Sequence, residues 1–394
     1  MGRHILLTGA TGALGPHLVA ELLQAGPADR LYFLIRPAAE SIERRFASLV
    51  ERVREVVHRD IDRERLCPVA GDLRLADLGM APAQRRALSR TTQVVIHAAA
   101  DTRFRAPAEL QHQTNVAGTH RLLDWARGCL RLQQVVLVST TCVAGSRTGR
   151  ISEVLFAAPA DFTNPYEQTK WQAELLAHAS RLPLRVLRLS TVMGSQRTGA
   201  VYRPGALHHA LRWLSRGLVP MVPGDRRSPV DMISSETAAL LVARAAAEPP
   251  REFAIYHVAA GQRALPLGDL LDFATEQFKL RLEAWHHGQI DRALIVDKAT
   301  FKLFCQTVRQ SQDVLFGQVL ESINSFLPAL QHPKIYDTAR AEALWGAPLP
   351  MQDPRETLER VIDFCLRTWP VPFPAPHRGN GREGSVPVAE TCPA

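Results

Sequence analysis

The chain has 394 residues, 46% of them apolar and 22% charged, which is enough for one large domain or two modest ones around ample core. No run of about 18 apolar residues occurs, so no membrane-spanning helix is expected. The net charge of +8 first suggests nucleic acid. The arginines, however, are spread among acids, as over residues 43–60, and no basic tract is interleaved with aromatics, which argues against it. Solvated helix faces account for such a balance, as does attraction of an anionic substrate, cofactor or carrier. Six cysteines, Cys67, Cys129, Cys142, Cys305, Cys365 and Cys392, form no CxxC pair. No metal site or disulfide framework is therefore expected, and a reducing, cytoplasmic setting is. The N-terminus runs straight into an apolar segment, leaving no room for a signal or transit peptide.

Residues 5–8 read as a buried strand, followed by Gly9, Gly12 and Gly15. A helix follows, with Leu14, Leu18 and Leu22 on one face and Val19 and Leu23 beside it. Pro16 suits its first turn and Gly26-Pro27 its end. Glycines there let the turn bend and let backbone N–H groups approach a pyrophosphate, which the helix N-terminus also favours. Strand, glycine turn and helix in this order predict a dinucleotide site.

Residues 31–35 form a second strand ending at Arg36-Pro37. At this place in a doubly wound fold an acid holds a ribose 2′-hydroxyl, whereas an arginine suits a 2′-phosphate. Arg36 therefore favours NADPH over NADH. Arg44 or Arg45, on the charged helical stretch at 39–65, offers a second contact or is simply solvated, and Arg45 joins Arg36 in the candidate set. A strand ending in Gly71-Asp72-Leu73 brings a carboxylate beside the expected adenine, unless Asp72 caps the following turn. Residues 93–100 read as a buried strand that runs into small residues, Ala98 and Ala99 among them, small enough for backbone to lie flat against a cofactor. His97 reads as a satisfied core histidine. Asn115 opens the next predicted helix, where its amide either braces a proton relay or bonds the backbone.

The strand at 134–138 ends in Ser139-Thr140-Thr141, hydroxyls at the carboxyl end of a parallel strand, where open α/β sheets put their sites. Asn164-Pro165 with Glu167 reads as a capping box opening a helix. Tyr166 and Lys170, four apart, then share a face. An ammonium near a phenol lowers its pKa, so Tyr166 becomes a proton donor near neutrality. One more strand, at 184–189, leads to 190–194.

Beyond residue 190 the chain reads as a smaller, partly discontinuous region. It is rich in Pro, Gly and Arg at first, with a serine-capped, alanine-packed helix from about residue 234. Residues 270–330 look strongly helical, with Phe304, Val308, Leu315, Val319 and Ile323 in a stripe. Such a stripe faces the core, walls a long apolar substrate or, as the weakest alternative, adsorbs to a membrane surface. Asp353 to Glu356 opens a last helix, and the tail from about residue 370 is expected to be disordered. The expected organisation is 1–190, a dinucleotide-binding domain to which later segments return, then 191–370, a substrate region, then 371–394, a tail. No internal repeat is found.

Taken together, Thr8 to Gly15, Gly71-Asp72-Leu73, His97 to Ala100, Asn115 to Thr119, Ser139-Thr140 and Tyr166-x-x-x-Lys170 resemble the extended short-chain dehydrogenase/reductase superfamily. Within it the chain is most similar to thioester reductase domains and fatty acyl-CoA reductases. Arg36 after the second strand, a long insert before Gly71-Asp72, and Ser-Thr followed by Tyr-x-x-x-Lys-Trp-x-x-Glu, ending at Glu174, carry this likeness. Two positions depart from it. Arg188-Leu189 stands where Arg-Pro is frequent, and Thr169 where serine is common.

The resemblance implies an α/β fold, a doubly wound, Rossmann-like parallel sheet with a mostly helical C-terminal region. It implies that Gly9, Thr11, Gly12 and Gly15 bind the pyrophosphate, that Arg36 binds the 2′-phosphate, and that Asp72 and Leu73 flank adenine. Leu14, Arg45, Ala98, Ala99, Lys170 and Val192 complete the expected cofactor contacts. Thr140, Tyr166 and Lys170 are the implied catalytic triad, with Asn115 in support. The implied reaction is NADPH-dependent reduction of an acyl thioester, on coenzyme A or an acyl carrier protein, to aldehyde or alcohol. A reductase or epimerase acting on a sterol-like ketone, a β-keto acid or a nucleotide sugar is the alternative. A cofactor-sensing protein without catalysis is disfavoured by the intact triad.

Overall fold

A computed structural model describes residues 2–288, 290–323 and 330–369. The tail expected to be disordered lies outside these residues. Seven strands form one sheet: β1 (His4–Thr8), β2 (Arg30–Ile35), β3 (Leu66–Ala70), β4 (Val94–His97), β5 (Gln134–Thr140), β6 (Leu184–Leu189) and β7 (Ala254–Val258). Their spatial order is β3-β2-β1-β4-β5-β6-β7, and every neighbouring pair is parallel. The winding reverses between β1 and β4, which opens a crevice at their carboxyl ends, where such sheets bind ligands. This is the doubly wound sheet expected from the sequence, with its seventh strand contributed from beyond residue 190.

Both sheet faces are covered, which is why the strands read as continuous apolar runs. Alternate residues of β1 point to opposite layers. Ile5 and Leu7 pack with Leu18, Leu22, Phe33 and Phe46, whereas Leu6 packs with Leu34, Val95 and Leu122. The first layer holds α1 (Gly15–Ala25) and α2 (Ile42–Val57). Ser41 caps α2 by accepting the Arg44 N–H, and His58, in the left-handed region, ends it. The helix thus stops short of the stretch expected to reach residue 65. On the chain follow α3 (Pro82–Thr91), α4 (Gly118–Arg127), α5 (Pro165–Ala179) and α6 (Ala206–Leu214). Next is α7 (Ser235–Ala245), where Ser234 accepts the Thr237 N–H and Ala238, Ala239 and Ala243 are buried in the same layer as α1.

The remainder builds a second core from α6, α8 (Leu267–Arg281), α9 (Lys298–Ser311), α10 (Val314–Ile323) and α11 (Pro354–Thr368). The stretch expected to be continuously helical over 270–330 is interrupted. A strand, Leu294–Val296, pairs with the distant Met221–Pro223, and Gln312 turns left-handed between α9 and α10. Phe301, Cys305, Val308 and Val319 are buried in this core with Phe304 packed against it, so most of the stripe faces inward. Leu315 is 46% exposed. The Ile323 side chain lies outside what the structure describes.

Candidate active site

The glycine turn leaves β1 at the crevice. Gly9 has φ +81°, and a Cβ there would come within 2.6 Å of the Ala98 carbonyl carbon and the Ala99 nitrogen. A Cβ on Gly15 would lie 1.7 Å from the Ala10 oxygen. The first glycine thus allows a left-handed turn against β4, and the third lets α1 approach the strand. Gly12 donates its N–H to the Gly9 carbonyl at 2.9 Å, and an added Cβ would meet only that carbonyl oxygen. Its outer side is bare, as a cradle for a closely approaching ligand requires. Leu14 precedes α1 without capping it by a side-chain hydrogen bond, and no acid stands in the first turn, so the N–H groups there suit an anion.

Thr8 ties the turn to β4. Its Oγ1 accepts the Ala99 N–H at 3.2 Å and lies 2.8 Å from His97 Nδ1, while His97 Nε2 lies 2.9 Å from Thr119 Oγ1. Burial, with the Lys170 charge adding to it, pushes the His97 pKa down to about 3. His97 is a neutral core link, as the sequence suggested.

At the end of β2, Arg36 is exposed. Arg45 donates to the Arg36 carbonyl and, at 3.0 Å, to Thr11 Oγ1. Arg44 is exposed, so helix phase separates the two candidates. Asp72 accepts the Arg74 N–H at 2.9 Å and pairs with its guanidinium at 2.7 Å, which makes it the cap of its own turn. It is also near enough to feel the charge of Arg36. Leu73 is buried beside Gly118. Val192 lies in the short strand Thr191–Val192, paired with Met232–Ile233, and is half-buried against the first core layer.

Across the crevice, Thr140 ends β5 and accepts the Cys142 N–H at 3.2 Å. Asn164 caps α5 by accepting the Glu167 N–H at 3.0 Å. Glu167 reaches back to the Thr163 N–H, one residue before the position a capping box uses. Tyr166 and Lys170 are one turn apart and both buried. Lys170 Nζ donates to the Val138 carbonyl at 2.9 Å, so the lysine is docked on the strand that carries Thr140.

The expected acidification of Tyr166 is not seen. Burial pushes the phenol up, Cys142 adds to this, and hydrogen bonding with Thr140 pulls only partly back. Phe104 covers the tyrosine, with ring centroids 5.4 Å apart. Burial lowers Lys170 to about 8, although Glu174 opposes this.

Asn115 does not open a helix. It sits inside a π-helical stretch, residues 112–117, that continues the short helix Ala108–Gln111 into α4. Its Oδ1 accepts the Asp101 N–H at 2.7 Å, and its Nδ2 donates at 3.1 Å both to the Asp101 carbonyl and to Thr169 Oγ1. It therefore pins the loop bearing Phe104 to the helix bearing Tyr166 and Lys170. The amide bonds both the backbone at Asp101 and the side chain of Thr169.

Behind the strand end lies a buried polar chain. Ser139 donates to Glu174 at 2.6 Å, Glu174 receives Arg188 through two nitrogens, and Arg188 lies 3.3 Å from His257 Nε2. The sequence offered Glu174 only as a point of likeness and Arg188 only within a departure from it, and did not single out Phe104 or Arg203. The last two lie in loops without periodicity. Arg203 carried only a compositional signal, the arginine-rich stretch after residue 197.

The profile of the NAD-binding family described as Male sterility protein matches residues 7–242. The isonitrile lipopeptide synthase of Streptomyces coeruleorubidus is 27% identical over 387 residues, covering 95% of this chain and 25% of that protein. Fatty acyl-CoA reductase 2 of Mus musculus is 29% identical over 179 residues, 43% of this chain and 34% of that one. The chain thus spans between 25% and 34% of the length of these curated relatives. The crystal structure of the terminal R domain from the myxalamid PKS-NRPS biosynthetic pathway shares the fold, with a TM-score of 0.75, 22% identity, and coverage of 93% of this chain and 91% of that one. The family match runs through the glycine turn, the β5 end and the Tyr166–Lys170 helix, and the chain therefore belongs to the male sterility protein family of NAD-binding domains.

Proposed function

We propose that the protein is an NADPH-dependent reductase of acyl thioesters, carried on coenzyme A or on an acyl carrier protein, and that it yields an aldehyde and, with a second reduction, an alcohol. The observation that carries this reading is the convergence of Thr140, Tyr166 and Lys170 at the β5 end, across the crevice from the glycine turn. Membership of a family whose relatives include a fatty acyl-CoA reductase supports it.

The residues present fit the cofactor. Gly9, Thr11, Gly12, Leu14 and Gly15 would hold the pyrophosphate, Arg36 and Arg45 the 2′-phosphate, Asp72 and Leu73 the adenine side, and Ala98, Ala99, Val192 and Lys170 the nicotinamide side. When bound, NADPH supplies the hydride. Thr140 and Tyr166 donate hydrogen bonds to the thioester carbonyl oxygen as it gains negative charge, where preorganised donors contribute most. Tyr166 passes its proton to that oxygen. Lys170, held at the Val138 carbonyl, brings positive charge to the same turn and stabilises the phenolate that remains. The hemithioacetal then collapses to aldehyde and thiol. Phe104 over Tyr166 keeps water from the reacting oxygen.

A net charge of +8 suits the phosphates of coenzyme A or an acidic carrier protein. Among the described residues no helix is long and apolar enough to cross a membrane, and a cytoplasmic site of action is part of this reading. The test is to follow NADPH absorbance with a panel of acyl-CoAs, carrier-bound acyl groups, ketones and nucleotide sugars. Turnover of thioesters supports the proposal. Turnover of ketones or nucleotide sugars alone overturns it.

A further inference from the structure

A further arginine, Arg203, lies near enough to Arg45 to lower its pKa by charge, and Arg45 in turn holds the Arg36 carbonyl. Arg203 belongs to the segment between Thr191–Val192 and α6, beyond the glycine turn, β2 and α2 that carry the other contacts. With Thr11, Pro16, Arg45, Ser48 and Tyr202 it lines a cleft of about 130 Å³.

The segment is docked there. Tyr202 donates to the Arg52 carbonyl at 3.4 Å, and the Arg52 guanidinium lies 5.3 Å from its ring centroid. Arg197 donates to the Val56 carbonyl at 2.8 Å, and Glu236 accepts from Ser195 and from the Gln196 N–H. The chain at Arg203 is therefore anchored beside α2, with the arginine side chain exposed.

Positive charge is in excess in the cleft, and of Arg36, Arg45 and Arg203, Asp72 and Asp101 are near enough to feel Arg36 only. Arg45 has its pKa lowered by burial and then by the charges of Arg203 and Arg36, with Glu40 opposing. Glu40 is the one acid lining the cleft among the described residues. Among those residues neither the Arg36 nor the Arg203 guanidinium has an ion-pair or hydrogen-bond partner. Arg52 also lines the cleft, and gathering Arg36, Arg45, Arg52 and Arg203 costs free energy that a dianion would return.

We propose that Arg203 is a specificity-determining residue that joins Arg36 and Arg45 in holding a phosphate monoester, so that the cofactor's 2′-phosphate is gripped by the end of β2, by α2 and by the segment before α6. This rests on the NADPH reading above. The same chemistry occurs in the 3′-phosphate of coenzyme A. Thr11 of the glycine turn in the cleft wall assigns the place to the cofactor.

Calorimetric titration of the full chain and of Arg203→Ala, Arg203→Lys and Arg36→Ala tests this, with NADP+, NAD+, adenosine 2′,5′-bisphosphate and adenosine 3′,5′-bisphosphate. Arg203→Ala is expected to weaken NADP+ and the 2′,5′-bisphosphate by about 10-fold, a change of about 1.4 kcal/mol. Arg203→Lys should recover part of the loss. NAD+ affinity should stay unchanged, which also shows the variant to be folded. If the unaltered protein binds NAD+ as tightly as NADP+, the cofactor reading fails and this inference with it. If NADP+ is preferred, Arg36→Ala removes the preference and Arg203→Ala does not change it, the inference alone is overturned. A larger loss for the 3′,5′-bisphosphate than for the 2′,5′ isomer also overturns it.

Discussion

Arg188 and Glu174 form a bidentate ion pair, 2.7 Å at its shortest, with both side chains at 0% exposure. Glu174 also accepts the Ser139 hydroxyl, one residue before Thr140, and the Phe156 ring lies 4.2 Å from the Arg188 guanidinium. The pair thus joins β5, α5 and β6 behind the site. Removing one partner leaves an uncompensated buried charge. Glu174→Ala should therefore cost about 3–5 kcal/mol, measured by denaturant unfolding, whereas Glu174→Leu with Arg188→Met should cost far less. Equal losses for the single and double variants would contradict this account of the pair.

Lys170 should destabilise the fold it serves. Its folded pKa is about 8 against an ordinary 10.5. Between these values the unfolded chain binds more protons, so stability rises with pH across that window. Below pH 8 both states are protonated and the penalty is complete, about 3 kcal/mol. Lys170→Met should thus be more stable than the unaltered protein at pH 7, and the gap should close towards pH 10.5. A gap that does not vary with pH would sink this prediction.

The two hydroxyls should separate in kinetics. Tyr166→Phe removes the proposed proton donor and should lower kcat by roughly 10²–10⁴-fold while leaving NADPH affinity unchanged. Thr140→Val removes one donor to the oxyanion, for a loss of about 10²-fold. If Tyr166→Phe retained full turnover, the tyrosine would have no chemical role.

Gly9→Ala places a side chain at φ +81° and drives its Cβ against Ala98 and Ala99. The expected cost is about 1–3 kcal/mol of stability, together with loss of dinucleotide binding, read by thermal unfolding with and without NADP+. A cofactor-induced stabilisation equal to that of the unaltered protein would contradict the role given to this turn.

What was legible in the sequence is what local rules determine. Strand, glycine turn and helix at residues 4–25 follow from neighbouring residues, as does the Asn164 cap that puts Tyr166 and Lys170 on one face. The choice between Arg44 and Arg45 needed the phase of α2, which Ser41 sets. Asn115 was misread because the π-helical stretch hides a helix that begins earlier, at Ala108. The Tyr166 phenol is pushed up by burial, a tertiary quantity that no local spacing carries. The break in 270–330 depends on Leu294–Val296 pairing with Met221–Pro223, a contact no local pattern carries. Phe104 reaches Tyr166, and Arg203 the cleft beside Arg45, from irregular loops, where side-chain direction is set by what the loop docks against.

The central claim is reduction of a thioester, and the most direct measurement is the balance of thiol against NADPH. With an acyl-CoA in excess and limiting NADPH, the expected result is one free thiol released per NADPH oxidised for aldehyde, or one per two for alcohol, with the matching product identified by mass. NADPH oxidation supported by ketones with no thiol released from any thioester would contradict it.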